Sequence, residues 1–191
     1  GPYHAPAMSN PLRIRRTAAE WAASGQVIEI KEKLCDFERL AAIIEADLGV
    51  AEPGHVPDSW YNAAVTGTVG FEFADAQRTL PVADCQVAVD LDAVCQRCLL
   101  PFRLPRMAKA RLLVLDIVQS VDGYDAYEVW ELLADTLRPQ DIVEELLIMA
   151  MPFAAMHSDS AACKALSPKE SGNEEMTRPF AALREQMAQD N

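Results

Sequence analysis

Hydrophobic and polar residues alternate with a period of two along three stretches in the middle of the chain. These three stretches span residues 63–74, 85–94 and 102–115. A fourth alternating stretch, nearer the start of the chain, spans residues 26–32. Alternation of this kind is typical of β-strands that bury one face and expose the other to water. The pattern therefore predicts a β-sheet that is covered on one face.

The second and third stretches are predicted to pair as one antiparallel hairpin, with residues 95–100 at its tip. In that register Asp92 lies opposite Arg103, and Asp84 lies opposite Arg111. Opposite charges across two strands stabilise a sheet by about 0.2–1 kcal/mol for each pair. Structural pairing is thus one interpretation of the basic residues on this hairpin, and contact with nucleic acid is the other.

Apolar residues at helical spacing predict helices that cover the sheet. The predicted helices span residues 17–25, 36–48 and 141–151. Thr17 and Glu20 have the spacing of a capping box at the start of the first helix, and Asp36 is the expected cap of the second. The acidic residues 116–138 predict a loop with a short helix. The fold class is therefore predicted to be α+β, with an antiparallel sheet and a central hairpin packed against helices.

The length of 191 residues suits one domain with short tails. We interpret residues 1–7 as the remnant of an expression and cleavage site, with Met8 as the natural start. Residues 8–157 are predicted to form a single α+β domain. Residues 158–191 begin with a stretch rich in Ser, Ala, Glu and Gly, and they are predicted to be a mobile tail with a short terminal helix.

The charge of the chain narrows the choice of partner. Asp and Glu number 29 against 17 Lys and Arg, which gives a formal net charge of -12. Such a chain repels phosphate backbones on average and favours a basic protein partner, such as a ribosomal protein. No run of eighteen apolar residues and no signal-peptide core is present, which predicts a cytoplasmic protein without a membrane partner. No small-molecule substrate is evident from the sequence.

Cys95 and Cys98 stand two residues apart at the predicted hairpin tip, and three interpretations compete. A redox pair needs its first cysteine at a helix N-terminus, whereas Pro101 and a strand follow here. Burial suits Cys95, which continues the apolar face of its strand, but not Cys98. A zinc site needs four ligands, and the second pair would be His157 and Cys163. Zinc is therefore a candidate cofactor, and unmetallated thiols are the alternative.

These residues also resemble the signature of the YceD family, the large ribosomal RNA subunit accumulation proteins. The similar segments are Cys95-Gln-Arg-Cys98-x-x-Pro101-Phe102, the acidic-then-apolar helix that ends at Pro152, His157 followed by Cys163, and Arg178-Pro179-Phe180-Ala181-x-Leu183. The chain departs from the family pattern at Leu146, Met151 and Arg178. The resemblance covers most of residues 12–185. It implies a role in the synthesis, processing or stability of large-subunit ribosomal RNA in bacteria, and it implies no catalytic mechanism.

Three functional hypotheses follow. The first is a non-enzymatic ribosome-biogenesis factor that binds a ribosomal protein, large-subunit rRNA or a pre-ribosomal particle. Its RNA- or partner-binding residues would be Arg97, Arg103, Arg106, Lys109 and Arg111. The second is an enzyme acting on RNA, with magnesium held by Asp84, Asp90 and Asp92. The third is a zinc-stabilised protein–protein adaptor without RNA contact.

The sequence favours a protein that is not an enzyme. It has no Ser-His-Asp order, no glycine-rich loop for phosphate and no metal motif with an open position. Glu144 and Glu145 are predicted to lie on a solvated helix face rather than to act as a catalytic pair. A polar hairpin face neutralised by ion pairs would favour the third hypothesis, a continuous basic strip the first, and clustered unpaired aspartates the second.

Overall fold

The structure of the chain is a computed structural model that describes residues 9–115, 122–152, 154–157 and 163. The helices of this part are α1 (Ala18–Ser24), α2 (Glu38–Leu48) and α3 (Pro139–Met149). The strands are β1 (Val27–Lys33), β2 (Ala64–Phe73), β3 (Pro81–Val94), β4 (Pro101–Leu115) and β5 (Glu128–Glu131). The predicted α+β class is confirmed.

The strands form one sheet in the order β1-β2-β3-β4-β5. The three pairings from β1 to β4 are antiparallel, whereas β5 lies parallel to β4. The sheet is therefore mixed and not wholly antiparallel as predicted. A parallel neighbour needs a crossover connection of about a dozen residues, and residues 116–127 supply that length. The prediction of a loop and short helix over residues 116–138 was wrong at β5.

The central hairpin of β3 and β4 has the predicted register. Asp92 pairs with Arg103, and Asp84 pairs with Arg111. This register places most apolar residues of both strands on the face that carries the main core, because side chains alternate between the two faces of a strand. Val82, Leu113 and Leu115 are buried on the other face, in a second and smaller cluster. A slip of one residue would turn the apolar side chains of the main core to solvent, so their burial fixes the pairing.

The core lies between the apolar face of the sheet and the helices. Trp21 of α1 is fully buried, stacks on Phe71 of β2 at 5.1 Å between ring centroids, and donates its indole N–H to the Leu137 carbonyl at 3.2 Å. Phe37 and Ile142 are also fully buried. Burial of each large apolar side chain stabilises the fold by about 1.5–3 kcal/mol, so these contacts hold the helices on the sheet.

Helix α2 is capped from another helix. Phe37 occupies the N-cap position and has no side chain that accepts a hydrogen bond, so the expected cap by Asp36 is not formed. The Glu144 carboxylate of α3 instead accepts hydrogen bonds from the backbone N–H groups of Arg39 at 3.1 Å and Leu40 at 3.5 Å. A carboxylate is favourable there because the N-terminus of a helix carries partial positive charge.

The solvated position predicted for Glu144 was wrong, since this residue is 8% exposed. Glu145 is more exposed and forms an ion pair with Arg39 at 3.1 Å. The two neighbouring carboxylates therefore have different roles, one as a buried cap and the other as a surface partner.

Replacing Glu144 with alanine is expected to destabilise the fold by about 2–3 kcal/mol, because two N–H groups at the start of α2 lose their acceptor. The matched substitution Glu145→Ala removes only an exposed ion pair and should cost about 0.5 kcal/mol. Urea unfolding of both variants measures the difference. Equal losses for the two variants would contradict the capping role of Glu144.

Residues 1–8, 116–121, 153, 158–162 and 164–191 lie outside the described residues. The remnant at residues 1–7, the mobile tail and the terminal helix therefore stay predictions. For the part of the chain that is described, no helix combines the length and the apolar character needed to cross a membrane.

Candidate metal centre

The tip of the β3–β4 hairpin is a tight backbone turn. The Cys95 N–H donates to the Leu100 carbonyl at 2.9 Å, and the Leu99 N–H donates to the Cys95 carbonyl at 2.8 Å. The second of these bonds closes a turn over five residues, in which Leu99 has a left-handed backbone with φ of +59°. Cys95 and Cys98 therefore lie on either side of one turn and direct their sulfur atoms to one place.

Residues 154–157 lie against this tip. The Gln96 N–H donates to the Ala155 carbonyl at 2.8 Å, which is a backbone bond between two distant parts of the sequence. The His157 ring packs against Phe102 of β4, with 5.1 Å between ring centroids. These two contacts position His157 beside the cysteines.

The predicted zinc ligands come together in the structure. The ligand atoms of Cys95, Cys98, His157 and Cys163 all lie within 4.8 Å of one another. The Cys98 sulfur is 3.7 Å from His157 Nε2. In a tetrahedral zinc site with Zn–S of about 2.3 Å and Zn–N of about 2.0 Å, these atoms would be about 3.6 Å apart. The spacing of the cluster therefore fits zinc.

The donor set also fits zinc. All five cysteines belong to the described residues, and none of them forms a disulfide there. Three thiolates and one imidazole are a ligand set typical of structural zinc, which fills all four positions with protein atoms. Cys95 and Cys163 are buried, whereas Cys98 and His157 are half-buried. Such a site serves to cross-link the chain, because it leaves no position for a substrate.

The backbone around Cys95 favours its thiolate. Burial acts to raise the pKa of this thiol, but hydrogen bonds from the backbone N–H groups of Cys98, His157 and Arg97 outweigh it and lower the pKa to about 6. Burial raises the pKa of Cys85 to about 12, with a smaller contribution from Asp84. Metals bind the thiolate form of cysteine. The lowered pKa therefore favours metal binding at Cys95, and the raised pKa disfavours it at Cys85.

In the metal-free protein, the Cys95 thiol should titrate with a midpoint near pH 6, below its ordinary pKa of 9.0. Because this pKa is lower in the folded state than in the unfolded chain, the Cys95 thiol adds stability that grows as the pH rises from about 6 to 9.0. Below about pH 6 this contribution to stability is lost. Thiolate absorbance in the ultraviolet, compared with that of Cys95→Ser, measures the titration. The same transition in both proteins would contradict the assignment to Cys95.

The structure does not gather the predicted RNA- or partner-binding residues on one surface. Arg103, Lys109 and Arg111 share the face of the sheet opposite the helices, which we call the open face. Arg106 lies on the helix-facing side, opposite Val89, and its Nε atom is buried without a hydrogen-bond partner among the described residues. The fifth residue, Arg97, is exposed at the hairpin tip.

Ion pairs neutralise much of the open face. Arg103 binds Asp92 at 3.1 Å, and Arg111 binds Asp84 at 3.4 Å. Asp90 is exposed on the same face, opposite Pro105. Within the described ranges, the row of aspartates forms no group of three converging ligands of the kind found at the hairpin tip. The arrangement is closer to a salt-bridged surface than to a basic strip or a magnesium site.

Sequence reasoning missed the contacts that place His157. The Gln96–Ala155 hydrogen bond joins backbone atoms, so no side-chain pattern could reveal it. Phe102 follows Pro101 in the quoted motif, but its role in packing against His157 depends on the tertiary fold.

Comparisons with protein-family models, with curated proteins and with solved structures find no match for this chain. The resemblance to the YceD family therefore stays a prediction from the sequence.

Proposed function

We propose that this chain is a zinc-stabilised binding protein that takes part in the maturation of large-subunit ribosomal RNA without catalytic activity of its own. The observation that carries the proposal is the convergence of Cys95, Cys98, His157 and Cys163. A closed set of four ligands suits a structural zinc, which would cross-link the hairpin tip to residues that follow α3.

The charges favour contact with a protein over contact with RNA. The cations Arg103 and Arg111 are neutralised by aspartates, and Arg106 is on the other side of the sheet. Affinity for a phosphate backbone grows with the number of free cations that meet it. A net charge of -12 suits a basic partner, such as a ribosomal protein.

The ribosomal role is supported by the sequence resemblance described above. The alternative of an RNA-acting enzyme has less support, because two of its three proposed magnesium ligands are ion-paired and Asp92 is 8% exposed. A carboxylate that already binds a guanidinium has less charge to offer a metal ion.

Measurement of the metal content tests whether the four converging ligands bind zinc. Protein purified without a chelator should contain about one equivalent of zinc, as four protein ligands hold one ion. His157→Ala and Cys98→Ser should reduce that content. Cys35→Ser is the matched control, because this exposed cysteine is outside the cluster. Zinc below about a tenth of an equivalent in folded protein would contradict the proposal.

A depletion experiment tests the cellular role. Cells that lose this chain should contain less large-subunit rRNA relative to small-subunit rRNA. The wild-type chain and Asp90→Asn should both restore the ratio, because no catalytic carboxylate is proposed. An unchanged ratio after depletion would contradict the ribosomal role, and failure of Asp90→Asn alone would favour the enzyme.

A further inference from the structure

We propose that the hairpin tip is the surface by which this protein docks on a protein partner, with Leu99 as the apolar anchor. We define the tip surface as Arg97, Leu99, Leu100 and Met156. The inference rests on the proposed function, because it takes the partner to be a protein of the large-subunit precursor particle.

The tip surface consists largely of exposed apolar side chains. Leu99 is 51% exposed, Leu100 is 39% exposed and Met156 is 52% exposed. The Arg97 guanidinium contacts the Met156 sulfur at 3.8 Å, which joins the two segments into one patch. Clustered exposed apolar residues with a polar edge mark binding surfaces more often than isolated ones do.

The backbone of Leu99 points to the same conclusion. Its φ of +59° lies in the left-handed region, which side chains with a β-carbon disfavour and glycine adopts without strain. An exposed leucine adds little to the core, so folding alone would be served better by glycine at this position. A residue that strains its backbone and exposes an apolar side chain indicates a use outside the fold.

The side chains of the tip surface indicate which kind of partner would bind it. A surface with three exposed apolar side chains, two from the turn and Met156 from the neighbouring segment, fits an apolar depression in a folded protein. Arg97 forms no ion pair with any carboxylate in the described ranges, so a carboxylate at the rim of that depression would complement it. RNA fits less well, because Arg97 is the single cation among the four described residues of the tip surface and can offer few phosphate contacts.

A second copy of the chain is also a poor fit for the tip surface. A symmetric contact between two tips would pair the four residues of the tip surface with one another, and none of them is a carboxylate that could pair with Arg97. The repulsion between two chains of net charge -12 adds to this cost.

The test is co-sedimentation of zinc-loaded protein with large-subunit precursor particles purified from cells depleted of this chain. Leu99→Gly removes the anchor and relieves the backbone, so zinc content and thermal stability should be at least those of the wild type. Binding should nevertheless weaken by about tenfold or more. Met107→Ala is the matched control, because Met107 is 77% exposed on the open face, away from the tip surface, and it should bind as the wild type does.

Each outcome separates the possibilities. Wild-type protein that does not bind the particles overturns the proposed ribosomal function and this inference with it. Wild-type binding that Leu99→Gly retains overturns the inference alone. Binding that is lost in Arg97→Ala but kept in Leu99→Gly indicates a phosphate contact, and a dimer in solution that depends on Leu99 indicates a second copy. Either result overturns the protein-docking role.

Discussion

Replacing Gly67 with alanine is expected to prevent stable folding, with a loss of about 4 kcal/mol or more. Gly67 lies in β2, between β1 and β3, and has a φ of +151° that side chains rarely adopt. A β-carbon there would lie 1.9 Å from the Gln86 carbonyl oxygen. That atom belongs to the backbone of β3, so relief of the overlap would require two paired strands to separate.

Gly70→Ala is the matched control in the same strand. Its β-carbon would meet only the Val27 Cγ2 atom at 3.3 Å, and Val27 is an exposed side chain that can rotate away. This change should therefore cost less than about 1 kcal/mol. Circular dichroism and urea unfolding compare the two variants. A Gly67→Ala protein as stable as Gly70→Ala would show that β2 does not need glycine at this position.

The parts of the fold that the sequence predicted are those with local periodic signals. The two long strands of the central hairpin have enough alternating residues to define both their faces and their register. The Thr17 capping box also formed, because its partners are three residues apart and depend on no other element.

The parts that the sequence did not predict depend on distant residues. The cap of α2 comes from Glu144, which is more than a hundred residues away from Arg39 in the sequence. No local sequence pattern predicts such a cap. Strand β5 has four residues, too few for a period to be recognised, and its pairing with β4 is parallel, so no hairpin turn in the sequence signals it.

At the candidate metal centre, too, the sequence predicted some features and not others. The spacing of Cys95 and Cys98 indicated that both could bind one ion, and the ligand count of zinc led to His157 and Cys163. The left-handed backbone of Leu99 could not be predicted, because leucine rarely adopts it. A sequence-based method would expect glycine there, so the exception appears only in the structure.

Removal of zinc from the loaded protein is expected to lower the thermal midpoint by about 10 °C and to detach residues 154–157 from the hairpin tip. A cross-link that closes a loop of about 60 residues restricts the unfolded chain by about 4 kcal/mol. For a chain of this size each kcal/mol corresponds to about 2–4 °C. The sheet should stay folded, because its own apolar face and the helices hold it.

Hydrogen exchange at a single amide can distinguish local detachment from general loosening. The Gln96 N–H is protected by the Ala155 carbonyl, whereas the amides at the centre of β3 are protected by β2 and β4. Zinc removal should accelerate exchange at Gln96 and leave the centre of β3 unchanged, since local opening is governed by local contacts.

Acid should produce the same pattern, because protons displace zinc from thiolates and imidazole. Cys35→Ser should match the wild type throughout. Equal exchange at Gln96 in the loaded and stripped proteins would mean that the ion does not hold residues 154–157 in place, and that Phe102 and the backbone bond suffice.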